Sequence, residues 1–398
     1  MQGISKYFFR HIAQTSEAPL ALEIERASGS WLYTPQGKYL DLISGISVSN
    51  TGHCHPHVIH AIKNQLDKYL HTMVYGEHIQ GPQVLFAKAL AARLPSSLSS
   101  VYFTNSGAEA VEGAMKLAKR STGRSGFVSF RNAYHGSTQG ALSLMGSETF
   151  KNAFRPLLPD MLHLSYNVTE TLDQITDHTA AVFAEPIQGE AGVIPSTPEF
   201  MNALRERCNQ TGALLVLDEI QTGFGRTGKL FAFEHYGVVP DILLCAKGMG
   251  GGMPLGAFIS SPERMKTLSH DPVLGHITTF GGHPVSCAAG LASLEILEQE
   301  DLCTEVKRKE ALFLRLLKHP AIQHIRSSGL LLALDFGTEA LNRDILAICL
   351  QKGVLADWFL FNAQSMRIAP PLTIRDEEII FACQVILEAI SLCVDPKK

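Results

Sequence analysis

Ala213-Leu-Leu-Val-Leu-Asp-Glu-Ile220 and, soon after it, Asp241-Ile-Leu-Leu-Cys-Ala-Lys247-Gly248 decide how this chain is read. Each is a short apolar run, rich in branched side chains, that ends on charge. Such runs are strands buried on both faces, as in a parallel sheet covered by helices on either side. Ligands of those sheets sit beyond the carboxyl ends of the strands. Asp218 and Lys247 stand at those ends. Neighbouring strands therefore aim both side chains into one crevice.

A buried carboxylate and a lysine made nucleophilic by desolvation are the pair that a pyridoxal phosphate enzyme requires. The lysine would bind the aldehyde of the cofactor. The aspartate would keep the ring nitrogen protonated, so that the ring can draw electrons.

The surrounding sequence supports a sheet of this kind. From about residue 100 strand and helix patterns alternate, with strands expected at 101–104, 127–130, 180–184, 214–217, 242–245 and 257–260. Helices are expected at 109–119, 198–208 and 284–298. Alternation of this kind means βαβ units and a mostly parallel sheet. Before it, 23–33 and 35–41 read as hairpin strands, and 57–70 and 83–94 as amphipathic helices. After residue 300 come helices at 302–317, 342–352 and 375–392, with strands near 322–326 and 330–336. The expected organisation is a large α/β domain over 51–289. A smaller α+β domain would combine 1–50 with 290–398.

Composition narrows the function classes. The 34 basic and 38 acidic residues leave a net charge of −4, which offers no surface for nucleic acid or for an anionic membrane. No apolar run is long enough to span a bilayer. Eight cysteines form no CxxC pair and several sit in apolar runs, so they read as reduced, buried thiols. The start of the chain lacks the features of a secretory signal. A cytoplasmic protein is expected.

Three short motifs carry competing readings. Thr104-Asn-Ser106-Gly107-Ala108-Glu109 leaves a strand and opens a helix, where backbone N–H groups and the Ser106 hydroxyl can take a phosphate. In isolation it is more often an ordinary N-cap; its place at the carboxyl end of a strand favours the anion site. Gly223 to Lys229 fits the phosphate-loop pattern G-x-x-x-x-G-K, but Leu230 stands where Ser or Thr must hold magnesium. His53-Cys54-His55-Pro56-His57 looks like a metal cluster. Pro56 opens a helix there, and a structural turn with no metal is expected.

With these residues in place the sequence resembles the class III (subgroup II) pyridoxal phosphate aminotransferases, notably the ornithine, acetylornithine and 4-aminobutyrate enzymes. The motifs that carry the resemblance are Asn105-Ser-Gly-Ala-Glu-Ala110, Glu185-Pro-Ile-Gln-Gly-Glu-Ala-Gly192, Leu217-Asp-Glu-Ile-Gln-Thr-Gly-Phe-Gly-Arg-Thr-Gly228, Ala246-Lys-Gly248 and Thr278-Thr-Phe-Gly-Gly282. The resemblance implies the fold type I architecture of these transferases. It implies that Lys247 is the Schiff-base lysine and proton carrier, that Asp218 pairs with the ring nitrogen, and that Gln221 contacts the phenolic oxygen. Tyr134 would stack on the ring, and Ser106, Gly107 and Ala108 would hold the phosphate. Thr279 would reach the phosphate of a neighbouring subunit, which makes a homodimer the expected active unit. Arg367 and Glu190 would form a switch, with Arg367 freed to grip a dicarboxylate and covered by Glu190 for the other amine donor.

The sequence also departs from those enzymes. Ser137 stands where they carry a carboxylate-binding arginine, Ile46 where the ornithine enzyme has a tyrosine, and His283 where asparagine is common. Losing such polar grips, each worth about 1.5–3 kcal/mol when the partner is charged, argues against strict selection of ornithine or 4-aminobutyrate. A less polar amine or ω-amino donor is expected, with 2-oxoglutarate as acceptor and pyruvate next. An aminomutase or decarboxylase would use the same lysine and aspartate, and the motifs leave both open.

Overall fold

A computed structural model describes residues 4–394. Its centre is a seven-stranded sheet in the order Ser100–Thr104, Gly256–Ser260, Ile242–Cys245, Leu214–Asp218, Thr179–Ala184, Gly126–Phe130, Met161–Leu164. All neighbouring pairs are parallel except those made by Gly256–Ser260, which runs antiparallel to both of its neighbours. Leu214–Asp218 and Ile242–Cys245 are buried along their whole length, as continuous apolar runs should be. They lie side by side, with Val216 opposite Ile242 and Asp218 opposite Leu244. The strand Met161–Leu164, at one edge, escaped the sequence reading.

Helix Gly107–Thr122 crosses one face of the sheet, starting from the Ser106 cap and ending on the left-handed Gly123. Its Gly113 passes so close to Phe258 that an added Cβ would meet the ring at 2.3 Å. Pro198–Thr211 and Pro284–Gln299 extend the expected helices by three residues and by one. On the other side of the chain, a hairpin of Arg26–Ser28, Trp31–Thr34 and Gly37–Asp41 takes Val354–Leu355 as a fourth strand. The first strands are thus tied to the C-terminal part of the chain. A further antiparallel sheet has the order His324–Ser327, Leu332–Asp335, Asn362–Ile368, Asp357–Phe359. Arg367 is the sixth residue of Asn362–Ile368.

The two motifs with rival readings are resolved into structure. In the 223–229 loop Phe224 and Arg226 fill the interior and Lys229 points to solvent, so the loop surrounds side chains and offers no phosphate cradle. His53, His55 and His57 go to three separate carboxylates, those of Asp41, Glu300 and Glu295. His55 also caps the helix Pro56–Leu66. All eight cysteines are free, and Cys54 is exposed. No helix among the described residues is long and apolar enough to cross a membrane.

Arg226 is fully buried and joins three distant segments. Its guanidinium donates to the Leu330 and Pro370 carbonyls and to the Asn50 side chain. Among the described residues no carboxylate sits in ion-pair contact with it, so the charge is dispersed over neutral acceptors. Truncation would strand those acceptors in a dry interior. Arg226→Ala is expected to lower stability by about 3 kcal/mol or more, read from the urea midpoint; a shift under about 0.5 kcal/mol would contradict this role.

Candidate active site

The carboxyl ends of Leu214–Asp218 and Ile242–Cys245 open on a cavity of about 560 Å³. Ser106, Gly107, Ala108, Tyr134, Ser137, Asp218, Gln221 and Lys247 all line it. Asp218 is 5% exposed. Its Oδ2 lies 2.7 Å from Nδ1 of the buried His135, and its Oδ1 accepts from the Ile220 N–H at 3.0 Å. These contacts fix the carboxylate and leave it facing the cavity.

Lys247 follows the neighbouring strand in a left-handed conformation, φ 51°. A non-glycine residue there is strained, and such strain gathers at functional sites. Gly136 lets the Tyr134-His135 segment pass against the start of helix Gly107–Thr122, where a Cβ would meet that of Ala108 at 2.8 Å. Tyr134 is thereby held beside Ser106 and Ala108. Its hydroxyl lies 3.2 Å from the Ser137 hydroxyl.

A second cavity of about 450 Å³ shares Tyr134 and Lys247 with the first and is walled by Ile46, Glu190, Asp357, Trp358, Leu360 and Arg367. Arg367, 3% exposed, is gripped by Glu190 through both terminal nitrogens at 2.8 and 3.0 Å. That is the bidentate geometry a guanidinium suits. Ile46 reaches this cavity from a left-handed backbone, φ 63°, which is rare for a β-branched residue. Thr279 is exposed on the 271–283 loop and lines neither cavity of its own chain. His283 caps the helix Pro284–Gln299 and stacks on His71 at 5.4 Å.

The class-III aminotransferase family matches residues 12–390. The chain is 39% identical over 380 residues to an acetylornithine aminotransferase of Archaeoglobus fulgidus, covering 95% of this chain and 98% of that one. It is 37% identical to an acetylornithine aminotransferase of Methanopyrus kandleri, over 97% of both chains. Among solved structures it resembles an ornithine aminotransferase of Toxoplasma gondii with PLP at its active site. There the TM-score is 0.88 and the identity 32%, over 97% of this chain and 94% of that one.

The chain is a class III aminotransferase. Its fold is the type I fold of pyridoxal phosphate transferases, and pyridoxal phosphate is its cofactor. The residues present fit that group. Nε2 of Gln221 is buried without a hydrogen-bond partner, a donor left for a ligand oxygen. Asp218 offers a carboxylate to a protonated ring nitrogen. The N-terminus of a 16-residue helix offers N–H groups to a phosphate.

Electrostatics in the aminotransferase follow from burial. Burial pushes the Lys247 amine below its ordinary value, with the charges of Glu190 and Asp218 opposing it. Burial would also lower His135, but the hydrogen bond and charge of Asp218 outweigh it and raise the imidazole. Glu185, which accepts from the Tyr134 and Gly189 N–H groups, is pushed up to about 7 by burial. Burial likewise pushes Glu219 up to about 7, and Asp357 up to about 7.

Sequence reasoning missed His135 and Asp357. His135 directly follows Tyr134, which the sequence had singled out, so a signal was present. Asp357 lies in Leu355-Ala-Asp-Trp358 and had none.

A carboxyl raised on folding is held protonated longer in the folded than in the unfolded chain. Its stabilising contribution is complete at low pH and is lost as pH rises toward the folded value. For Glu219 that window runs from the ordinary 4.5 to about 7. Glu219→Gln is expected to make the urea stability of the cofactor-free protein fall less steeply across that window, by up to about 1.4 kcal/mol per pH unit. An unaltered slope would show that Glu219 ionises normally.

Proposed function

We infer that the chain moves an amino group from an amine or ω-amino acid donor to a 2-oxo acid, with 2-oxoglutarate the favoured acceptor and pyruvate next. The observation that carries this reading is the Arg367–Glu190 pair, held in the same cavity as Lys247. A covered guanidinium beside the nucleophile suits two alternating substrates. When a dicarboxylate enters, Glu190 swings away and Arg367 takes the α-carboxylate. When the other amine enters, Glu190 stays and cancels the charge.

Pyridoxal phosphate supplies an electron sink for the charge left when a proton leaves the substrate carbon. The residues of the chain do the rest. Ser106, Gly107 and Ala108 anchor the phosphate, and Tyr134 covers one ring face. Asp218, set by His135, holds the proton on the ring nitrogen, and Gln221 donates to the phenolic oxygen. Lys247, whose amine burial holds below its ordinary value, would serve as the proton carrier at the substrate carbon. Thr279 is exposed and lines neither cavity of its own chain, which supports a homodimer in which it would reach the neighbouring subunit. The pairing of Gly37–Asp41 with Val354–Leu355 supports a small domain built from 1–50 and 290–398 beside a large one at 51–289. The cytoplasm is the proposed location, in keeping with eight unpaired cysteines.

The test is a screen of amines and ω-amino acids against 2-oxoglutarate and pyruvate, with Lys247→Ala as control. The parent should turn over at least one pair by ping-pong kinetics. The variant should still bind the cofactor non-covalently but lose roughly 10³-fold or more in turnover. A variant with parental turnover would overturn the assignment of Lys247. Failure of every donor with both acceptors would overturn the substrate class.

A further inference from the structure

The charges around the second cavity do not balance. Both terminal nitrogens of Arg367 are bonded to Glu190, and one also donates to the Trp358 carbonyl at 2.7 Å. A second carboxylate, that of Asp357, approaches only the remaining Nε, at 3.1 Å. That contact is not aligned as a hydrogen bond. Asp357 Oδ1 and Arg367 Nε are both shut off from solvent without a directed partner. One guanidinium thus answers two carboxylates, and the second is poorly answered. Oδ1 is therefore closed to a ligand, but the Asp357 side chain is 20% exposed and lines the cavity, and its other oxygen is left open to an N–H donor.

Among the described residues no cation is left along that wall to receive a carboxylate from the donor. Arg367 is covered, residue 137 is a serine, and Lys247 is engaged by the cofactor. The remaining walls, Ile46, Trp358 and Leu360, are apolar. An occupant with a methylene chain and a cationic end matches both features.

We propose that Asp357 is a specificity-determining residue that receives the second ammonium group of the amino donor, so that aliphatic diamines are preferred over monoamines. This rests on the transaminase reading above and on Glu190 covering Arg367 while the donor is bound. The methylenes lie along Ile46, Trp358 and Leu360. One end of the donor would react beside Lys247 while the ammonium group at the other end rests on Asp357.

The experiment compares kcat/KM of the holoenzyme for putrescine and cadaverine with that for butylamine and pentylamine, at saturating 2-oxo acid. A charge-assisted bond should give the parent a diamine preference of roughly ten- to a hundredfold. Asp357→Asn should bring the diamine-to-monoamine ratio close to one, and Asp357→Glu should keep most of it. A loosened fold would depress both amines together and leave the ratio standing, so the ratio separates contact from structure. A parent ratio near one, or a ratio that survives Asp357→Asn, overturns the proposal while leaving the transaminase reading intact. If no amine is turned over but α-amino acids are, the donor reading beneath it fails instead.

Discussion

A partly buried lysine amine, set where two cavities meet, is the constraint around which this structure is arranged. Keeping that amine neutral requires burial, and burial penalises every other charge brought near it. The fold meets this by giving most of the nearby charges a partner. Asp218 has His135, Glu190 has Arg367, and Glu185 has two backbone N–H groups. Two adjacent parallel strands make the arrangement possible, because their shared register ends both at the same level of the sheet. The lysine itself sits in strained backbone, so its direction is fixed by the surrounding structure and not by local preference.

The two cavities divide the labour. The first has the features that suit a phosphate and an aromatic ring: a helix N-terminus, an orphan amide donor and a buried carboxylate. The second holds the Arg367–Glu190 pair on which the proposed choice of substrates rests. Its polar groups come from the 187–195 hairpin and from the antiparallel sheet that holds Arg367, whereas Asp218 and Lys247 come from the parallel sheet. Arg226 ties these parts together from within. Chemistry and selection are thus built on different sheets and meet at Tyr134 and Lys247.

The sequence exposed the first of these far more plainly than the second. Leu214–Asp218 and Ile242–Cys245 are continuous apolar runs because both faces are covered, so they could be read directly. Asn362–Ile368 could not. It carries Asn, Gln, Ser and Arg, yet its second half is buried, because those polar groups find partners from other segments. Met161–Leu164 is a half-buried edge strand carrying a histidine, which blurs its apolar pattern. His135 matters through Asp218, and Asp357 through Arg367, and such pairings across the chain leave no periodic trace. The departures at Ser137 and Ile46 were visible as residue types. What they mean for a donor became legible only once Asp357, Trp358 and Leu360 stood beside them.

The central claim is that the ε-amine of residue 247 is the group that meets the aldehyde of the cofactor. It is tested most directly by reducing the reconstituted enzyme with borohydride, digesting it, and locating the cofactor by mass spectrometry. The account predicts a pyridoxyl group on the peptide containing Ala246-Lys-Gly248 and on no other. A stable modification at a different lysine, with Lys247 unlabelled, would contradict it.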